Sequence, residues 1–341
     1  MKKNKLVWTG LILLIGGLVL MAVGFSCGAK ISAYVTGQGV VLEDGSLNQR
    51  TDNQLSPFQN LDIQLGDAEL RLIPSDHYGI DMCYYDKRYE PQFQIKDGTL
   101  TVRDRRQSEG SGWVLMSINL LNTKNNTVDI YYEAGQALEQ VKINNGVSTV
   151  WMDGLKAKEM ALDNDIGDVT MKNMELDQLT LHQDIGVLRM KNNRINRAEL
   201  RKNSGDLSVD QLTGDEMKAK IDIGNINFTE SSLKKADFTG NLGEMVLQQW
   251  RSNGLKMTSG NGAVRIQGHL AGENRIQSNL GDVSIQTDLT DEQYALNVKT
   301  SLGALTVDGA EVSGNIARQA DTGNSLFVDA ACGNIDLSFG Q

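Results

Sequence analysis

The chain has 341 residues, of which 22% are charged and 40% are hydrophobic, and it carries a net charge of −10. That length suits two ordinary domains or one long repeat array, and the composition excludes a disordered chain. The acidic balance argues against binding to nucleic acid or to anionic lipid through bulk charge.

The first segment of the chain predicts a membrane anchor. A basic start with three lysines covers residues 1–5, and the segment 6–26 contains a run of 20 uncharged residues. Such a run is long enough to cross a hydrocarbon core of about 30 Å. A basic start places the N-terminus inside the cell and the rest of the chain outside. We therefore expect a single-pass cell membrane protein with an uncleaved signal anchor; cleavage of the segment, or lipidation of Cys27, is the alternative.

Two less regular segments follow the predicted transmembrane helix. Residues 27–57 are predicted to be a juxtamembrane linker, and residues 58–146 an irregular N-terminal β region. A long excursion at 103–126 interrupts that region, begins basic and carries Trp113. Loops of this length are often functional, but a surface excursion whose apolar centre packs on the main domain is the simpler interpretation.

Glycine recurs with a fixed spacing in the second half of the chain. Seven glycines follow one another at a constant interval: Gly167, Gly186, Gly205, Gly224, Gly243, Gly262 and Gly281. Apolar residues stand two and four positions after these glycines and Gly303, and seven and five positions before them, with Asn274 as the exception. A period of two indicates strands with one buried face. Each repeat therefore holds two short strands joined by the glycine turn, with a second turn at positions equivalent to 174–178 in the unit of Gly167.

A unit of about 19 residues cannot bury its own apolar face, so it must stack on its neighbours. The sequence therefore predicts an all-β fold, a parallel β-solenoid with regular repeats over 147–341. About ten coils, spaced by about 4.8 Å, would form a rod on the order of 45–50 Å long. A leucine-rich repeat is the competing fold, because residues 176–186 resemble its core, but the other units lack those leucines.

Asp or Asn stands two residues before most of the turn glycines. Both side chains suit turns, and in stacked coils they could form a ladder along the rod. Calcium binding is the functional alternative, but the nonapeptide pattern of calcium β-rolls is absent. We therefore expect no metal site and no cofactor.

No catalytic constellation is visible in the sequence. The histidines are scattered: His77, His182 and His269. Three aspartates follow a turn glycine but belong to units that are not adjacent, and we interpret them as solvated turn residues: Asp168, Asp206 and Asp282. Trp151 and Trp250 are interpreted as packing residues, and Cys83 and Cys332 as small buried residues that form no disulfide.

Several motifs are shared with a known family. They are "F-x-x-L-D-I-x-L-G-D-A-E-L" from Phe58, then "DGTLTV", then "VDIYY", then the repeated "G-D-[VL]-[ST]-[VI]". With the basic start and the apolar segment, this order resembles the bacterial putative-adhesin family of unknown function, the LiaG-like envelope proteins, over residues 58–341. The resemblance implies a membrane-anchored extracytoplasmic β-solenoid for which adhesion is proposed, and it implies no catalytic residue.

The expected function is binding or scaffolding at the cell envelope, without enzymatic activity and toward an unknown protein or glycan ligand. Such a module predicts an exposed apolar or aromatic patch on one face. A carbohydrate-active β-helix enzyme is the first alternative and predicts two or three carboxylates within about 5–10 Å. A self-stacking structural protein is the second, because the C-terminal "CGNIDLSFGQ" shows no cap. Function is expected where the repeat is broken, at 103–126, at Asn274 and in the long unit between Gly281 and Gly303.

Overall fold

The computed structural model describes residue 17 and residues 32–36, 39–42, 47–85, 90–104, 116–119 and 126–340. Within these ranges no helix is both long enough and apolar enough to cross a membrane. The segment predicted as the membrane anchor, 6–26, lies outside the described residues except for Gly17.

The described fold is all-β, apart from one short 3₁₀ turn at Asp291–Gln293. The strands before the regular repeats are β1 (Ser32–Thr36), β2 (Gly39–Leu42), β3 (Leu47–Asp52), β4 (Asn60–Leu65), β5 (Glu69–Ser75), β6 (Gly79–Tyr85), β7 (Gln92–Lys96), β8 (Thr99–Arg103), β9 (Met116–Asn119), β10 (Thr127–Glu133), β11 (Ala137–Val147) and β12 (Val150–Asp153). The remaining strands are β13 (Lys156–Ile166), β14 (Val169–Lys172), β15 (Glu175–Ile185), β16 (Leu188–Ser204), β17 (Leu207–Ile223), β18 (Ile226–Thr229), β19 (Ser232–Leu242), β20 (Met245–Asn261), β21 (Val264–Leu280), β22 (Val283–Thr287), β23 (Ala295–Leu302), β24 (Leu305–Val307), β25 (Ala310–Val312), β26 (Ile316–Arg318), β27 (Ser325–Cys332) and β28 (Ile335–Ser338).

The repeats stack as parallel coils. Face A holds the short strands that follow each turn glycine, and face B holds the longer strands that lead to the next glycine. Neighbouring coils pair with a constant shift along the sequence, so that Val169 lies opposite Leu188 on face A and Leu179 opposite Ala198 on face B. The predicted parallel β-solenoid is confirmed.

The predicted inward positions form the core. All of them are buried except Val307, which is half-buried, and Asn274 is buried with them. The period of two therefore predicted the core correctly, since alternate side chains of a strand point to opposite faces.

The coil turns at three corners. The turn glycines of the regular series have φ between 108° and 148°, a backbone conformation that side chains with a Cβ rarely adopt. In five coils a second corner follows the glycine and is left-handed at a residue that is not glycine: Asn173, Asn192, Gln211, Glu230 and Gln249. Two consecutive exposed residues mark a third bend, as at Asp177–Gln178. The single second turn predicted after each glycine is therefore two corners.

The coils at the N-terminal end of the rod do not follow chain order. β4 and β5 stack on β11 and β12, and the later strands β8 and β10 stack outside them. Antiparallel strands close this end, β6 and β3 on face A and β7 on face B. The sheet therefore begins with β3, inside the segment 27–57 that was predicted to be a linker.

The C-terminal end also departs from chain order. β27 lies between β21 and β23, and β28 lies between β22 and β24. The outermost coil pairs with the antiparallel strands β26 and β25. The expectation that "CGNIDLSFGQ" forms an uncapped end is therefore wrong, because these residues belong to an inner coil.

The rod is slightly longer than predicted. We call the parallel strands stacked along face A its rungs. In spatial order they are β10, β5, β12, β14, β16, β17, β18, β20, β21, β22, β28 and β24. Twelve rungs have eleven spacings of about 4.8 Å between them, which gives a length of about 53 Å. A separate three-stranded sheet contains β2, β1 and β9, and most of the predicted excursion at 103–126 lies outside the described residues.

Candidate functional site

The outer surface of face A changes character at its N-terminal end. One row of outward residues crosses five neighbouring strands in register: Trp151, Arg71, Asp129, Asp81 and Thr51. Trp151 is directed outward because its neighbours Val150 and Met152 are both buried in the core. A large aromatic ring therefore lies next to a charged row on a surface that is otherwise polar.

Arg71 and Asp129 form a bidentate ion pair on this row. Arg71 Nε and Nη2 each donate to one carboxylate oxygen of Asp129 at 2.6 Å. The Asp129 side chain is only 10% exposed, whereas that of Arg71 is 41% exposed. Burial raises the pKa of Asp129 and the guanidinium of Arg71 opposes that rise, while the hydrogen bond to Asp129 raises the pKa of Arg71. The pair therefore presents a positioned guanidinium above a covered carboxylate.

A second carboxylate lies directly beside this pair. Asp81 is opposite Asp129 across an antiparallel strand pair, where like charges destabilise a sheet. Thr51 Oγ1 donates to Asp81 Oδ1 at 2.9 Å, and Gln49 Nε2 donates to the same oxygen at 3.4 Å. Along the row, the donor Arg71 is therefore followed by two acceptors, Asp129 and Asp81.

Two further rings border the row. The imidazole of His77 stacks on the ring of Tyr131, with 5.6 Å between centroids and 22° between planes. Tyr131 is directed outward, since its neighbours Ile130 and Tyr132 are buried, and it is half-buried itself. Burial, with the nearby Asp129, raises the pKa of the Tyr131 hydroxyl. We call this surface the N-terminal patch, which comprises Trp151, Arg71, Asp129, Asp81, Tyr131 and His77.

The three aspartates that follow turn glycines are not brought together, as predicted, but they are more than solvated turn residues. Each accepts the backbone N–H of the equivalent position in the next coil, at 2.8–2.9 Å: Asp168 from Val187, Asp206 from Asn225 and Asp282 from Asn334. A hydrogen bond from Arg189 lowers the pKa of Asp168. These side chains therefore join coils, which is a structural role.

The histidines are also far apart in the fold. His182 Nδ1 lies 3.2 Å from Asp163 Oδ1, and His269 Nδ1 lies 2.8 Å from Asp288 Oδ1. Each of these pairs links adjacent coils on the surface. Among the described residues no group of three or more His, Cys, Asp or Glu could hold a metal ion.

The predicted ladder of Asp and Asn before the turn glycines is present in part. Asn203 Nδ2 donates to Asp184 Oδ1 at 2.6 Å, and Asn241 Nδ2 donates to Asp222 Oδ1 at 2.8 Å. These contacts connect neighbouring coils, which agrees with the turn-and-ladder interpretation.

A second, buried ladder lies one position earlier and was not predicted. Side chains three positions before the turn glycine donate to turn-glycine carbonyls inside the rod: Asn164, Gln183, Lys202, Ser259 and Ser278. Lys202 is 1% exposed, and burial lowers its pKa to about 8. Its Nζ donates to Gly186 O at 2.7 Å and to Gln183 Oε1. The ammonium of Lys202 therefore satisfies the carbonyl group of a turn glycine, which is a structural role.

One corner of the rod carries an exposed aliphatic row. The residue directly before the turn glycine and its equivalents is large, apolar and 44–70% exposed in seven coils: Val147, Ile166, Ile185, Ile223, Leu242, Leu280 and Leu302. Ser204, Asn261 and Cys332 interrupt the row in register. Side chains stacked about 4.8 Å apart cover one another in part, so the row contributes to coil stacking.

Sequence reasoning missed the N-terminal patch. Trp250 is indeed a packing residue, fully buried against Phe228 and Phe238, but Trp151 lies on the outer surface. The signal was available, because the alternation in "TVWMD" places Trp151 outward once Val150 and Met152 are placed in the core. The partners of Trp151 come from distant strands and had no comparable signal.

These features define a class: a parallel β-solenoid closed at both ends by antiparallel strands, with an aromatic and charged patch at the N-terminal end of face A. The chain belongs to the family described as Toastrack DUF4097, whose model matches residues 58–238. The resemblance to a putative-adhesin family of unknown function is thereby confirmed. No curated protein matches the chain.

Solved structures with a similar chain include a putative adhesin from Parabacteroides distasonis ATCC 8503, at 14% identity and a TM-score of 0.41 over 86% of this chain and 98% of that one. A putative lipid binding protein from the same organism has 13% identity and a TM-score of 0.44, over 88% and 98%. A putative adhesin from Parabacteroides merdae ATCC 43184 has 13% identity and a TM-score of 0.36, over 88% and 98%. These structural likenesses are weak.

Proposed function

We propose that this chain is a non-enzymatic binding or scaffold protein of the cell envelope. In this proposal the segment 6–26 spans the cell membrane, the N-terminus is inside, and the solenoid binds a ligand outside the cytoplasm. The N-terminal patch carries the proposal, because an outward Trp, Tyr and Arg on a rigid sheet is the composition of a binding surface. The apolar run at 6–26, its basic start and the resemblance to envelope proteins support the location.

The patch is also the best place for the alternative, a carbohydrate-active enzyme, since it brings two carboxylates together. Asp129 and Asp81 lie opposite each other in register. Both oxygens of Asp129, however, accept hydrogen bonds from Arg71, and the side chain is only 10% exposed, so neither oxygen is positioned to exchange a proton with a ligand. Binding therefore fits the geometry better than acid–base catalysis does.

The self-stacking alternative fits less well. Rod-on-rod stacking would continue the parallel coils of one rod into those of the next, whereas antiparallel strands cover both end coils of the described chain. The two ends therefore resemble the atypical caps of a solenoid rather than complementary joints.

Retention of residues 31–341 on whole cells and on purified envelope glycans tests the binding proposal. We expect the wild-type rod to retain at least one envelope component, and a variant with Arg71→Ala and Trp151→Ala to lose it. Retention of no component by the wild type would refute the proposal. A reporter fused after residue 341 tests the topology, and activity only in the cytoplasm would refute the extracytoplasmic placement.

A further inference from the structure

The N-terminal patch differs from the rest of its own face. The Trp151 position continues along the rod as small, polar or single basic side chains with one valine: Thr170, Arg189, Ser208, Asn227, Val246, Arg265 and Ser284. Because the coils are otherwise similar, the aromatic and charged set at one end is a local addition to the repeat. Its position on rigid paired strands suits a preformed site.

One ring ends the hydrogen-bonding row and the other lies beside it. Trp151 on β12 and Tyr131 on β10 are separated by β5, and Tyr131 lies opposite Ile73, two residues along β5 from Arg71, so about 11–12 Å lie between their backbones. Amphipathic rings of this kind offer apolar surface to a ligand that is polar at its edges. An elongated ligand that lies diagonally across β5 could contact both rings and pass beside Arg71.

The row matches the hydrogen bonding of hydroxyl groups. Arg71 has five N–H donors and uses two of them on Asp129, and its side chain is 41% exposed. Asp81, with Thr51 beside it, adds acceptors two strands away from Arg71. Each hydroxyl donates one hydrogen bond and accepts others, so successive hydroxyls of an oligosaccharide can pair with the Arg71 donors and, about 9–10 Å further on, with the Asp81 acceptors.

The charge of the row selects among elongated polar ligands. It has one guanidinium and two carboxylates, in a chain with a net charge of −10, so a polyanion would be repelled. A protein partner would need about 800 Å² with a desolvated apolar centre, whereas the centre here is charged and the next rung carries Thr170. We infer that the N-terminal patch binds an uncharged oligosaccharide, with Trp151 as the stacking platform and Arg71 and Asp81 as hydroxyl ligands. This inference rests on the proposed binding function and names its ligand class.

Direct binding by the full chain tests the inference. The chain is kept in a zwitterionic detergent, because detergents with sugar headgroups would compete, and is titrated with cellohexaose, chitohexaose and maltohexaose, with heparin as the polyanionic control. We expect at least one uncharged hexaose to bind and to change tryptophan emission, and heparin not to bind. Trp151→Ala is expected to weaken binding about tenfold or more, while Trp151→Phe keeps most of the affinity.

Val246→Ala is the matched control, since Val246 occupies the same outer row several coils away, and its affinity should equal that of the wild type. Circular dichroism checks that each variant folds. Absence of binding to all three hexaoses, tight binding of heparin, or unchanged affinity in Trp151→Ala would overturn the inference.

Cell retention separates this inference from the proposed function. Retention of the wild type on cells without hexaose binding would leave the binding function standing and overturn the saccharide assignment. Retention that requires Trp151 but disappears when the cells are treated with protease would identify a protein ligand and would also overturn it. If Trp151→Ala loses both hexaose binding and retention on cells, the saccharide assignment is supported.

Discussion

The turn glycines hold adjacent coils at a distance that leaves no room for a side chain, and Gly205→Ala tests this directly. Gly205 has a φ of 108°, where an L side chain is strained. A Cβ at this position would lie 2.0 Å from the carbonyl oxygen of Gly186, against 3.4–4 Å for an ordinary contact. The two coils must therefore separate by more than about 1 Å at this corner to accept alanine.

The expected cost follows from what that separation removes. The strained backbone contributes about 1–3 kcal/mol. Separation also stretches the bonds that join the coils at the corner, such as Gly186 N to Ser204 O at 3.1 Å and Leu188 N to Asp206 O at 3.0 Å, each worth about 1 kcal/mol. We expect Gly205→Ala to lower the free energy of unfolding by about 3–5 kcal/mol.

Urea unfolding followed by circular dichroism measures this loss, and hydrogen exchange locates it in β16 and β17. Gly240→Ala is the control: Gly240 is buried in the same stack, but a Cβ there would meet its nearest atom, Met245 Sδ, at 3.6 Å. It should change stability by less than about 1 kcal/mol. Equal effects of the two substitutions, or a Gly205→Ala chain as stable as the wild type, would refute the steric argument.

Three further changes test the interior and the C-terminal end. Burial holds the pKa of Lys202 at about 8, below its ordinary value of 10.5. Between these pH values the unfolded chain therefore binds more protons than the folded chain. The free energy of unfolding of the wild type, measured with urea relative to Lys202→Met, should rise by roughly 2–3 kcal/mol from pH 8 to pH 10.5. Asn274→Leu fills the core with an apolar side chain but removes the Asn274 Nδ2 bonds to four carbonyl oxygens at 3.1–3.3 Å, and it should cost about 1–3 kcal/mol in the same assay. Deletion of 320–341 removes β27 and β28 from between inner coils, so amide exchange in β21 and β23 should accelerate, and a peptide of residues 320–341 should restore protection.

Each of these outcomes has a contrary result. Parallel pH profiles for wild type and Lys202→Met would show that the buried ammonium does not destabilise the fold. An Asn274→Leu chain more stable than the wild type would assign Asn274 no role at its corner. Unchanged exchange after the deletion would show that β21 and β23 do not depend on the intercalated strands.

The regular coils could be predicted because each repeat carries its own pairing information. The alternation around Gly186 and Gly205 predicts the same inward positions in both coils, and those positions are buried in register. Corners were harder to predict, since Gln211 and Glu230 adopt left-handed backbone without glycine. Composition alone does not mark such positions, because stacking against the next coil holds them there.

The patch could be predicted only in part. The outward direction of Trp151 follows from local alternation, whereas its neighbours Arg71, Asp129 and Asp81 lie on β5, β10 and β6, which are distant from β12 in the chain. Their register depends on β4 and β5 stacking inside β8 and β10. The irregular segment 58–146 has no repeat from which that order could be deduced.

The sequence by itself determined the coil: its constant length, its buried positions, its glycine corner and the parallel stacking of equivalent positions in neighbouring repeats. Each of these follows from side-chain period and backbone sterics within one unit and its neighbour. Tertiary structure alone decided which strands lie outermost, where β27 and β28 insert, and which outward side chains meet on face A. Those outcomes depend on pairing between segments without internal similarity, where only the folded chain as a whole selects one register.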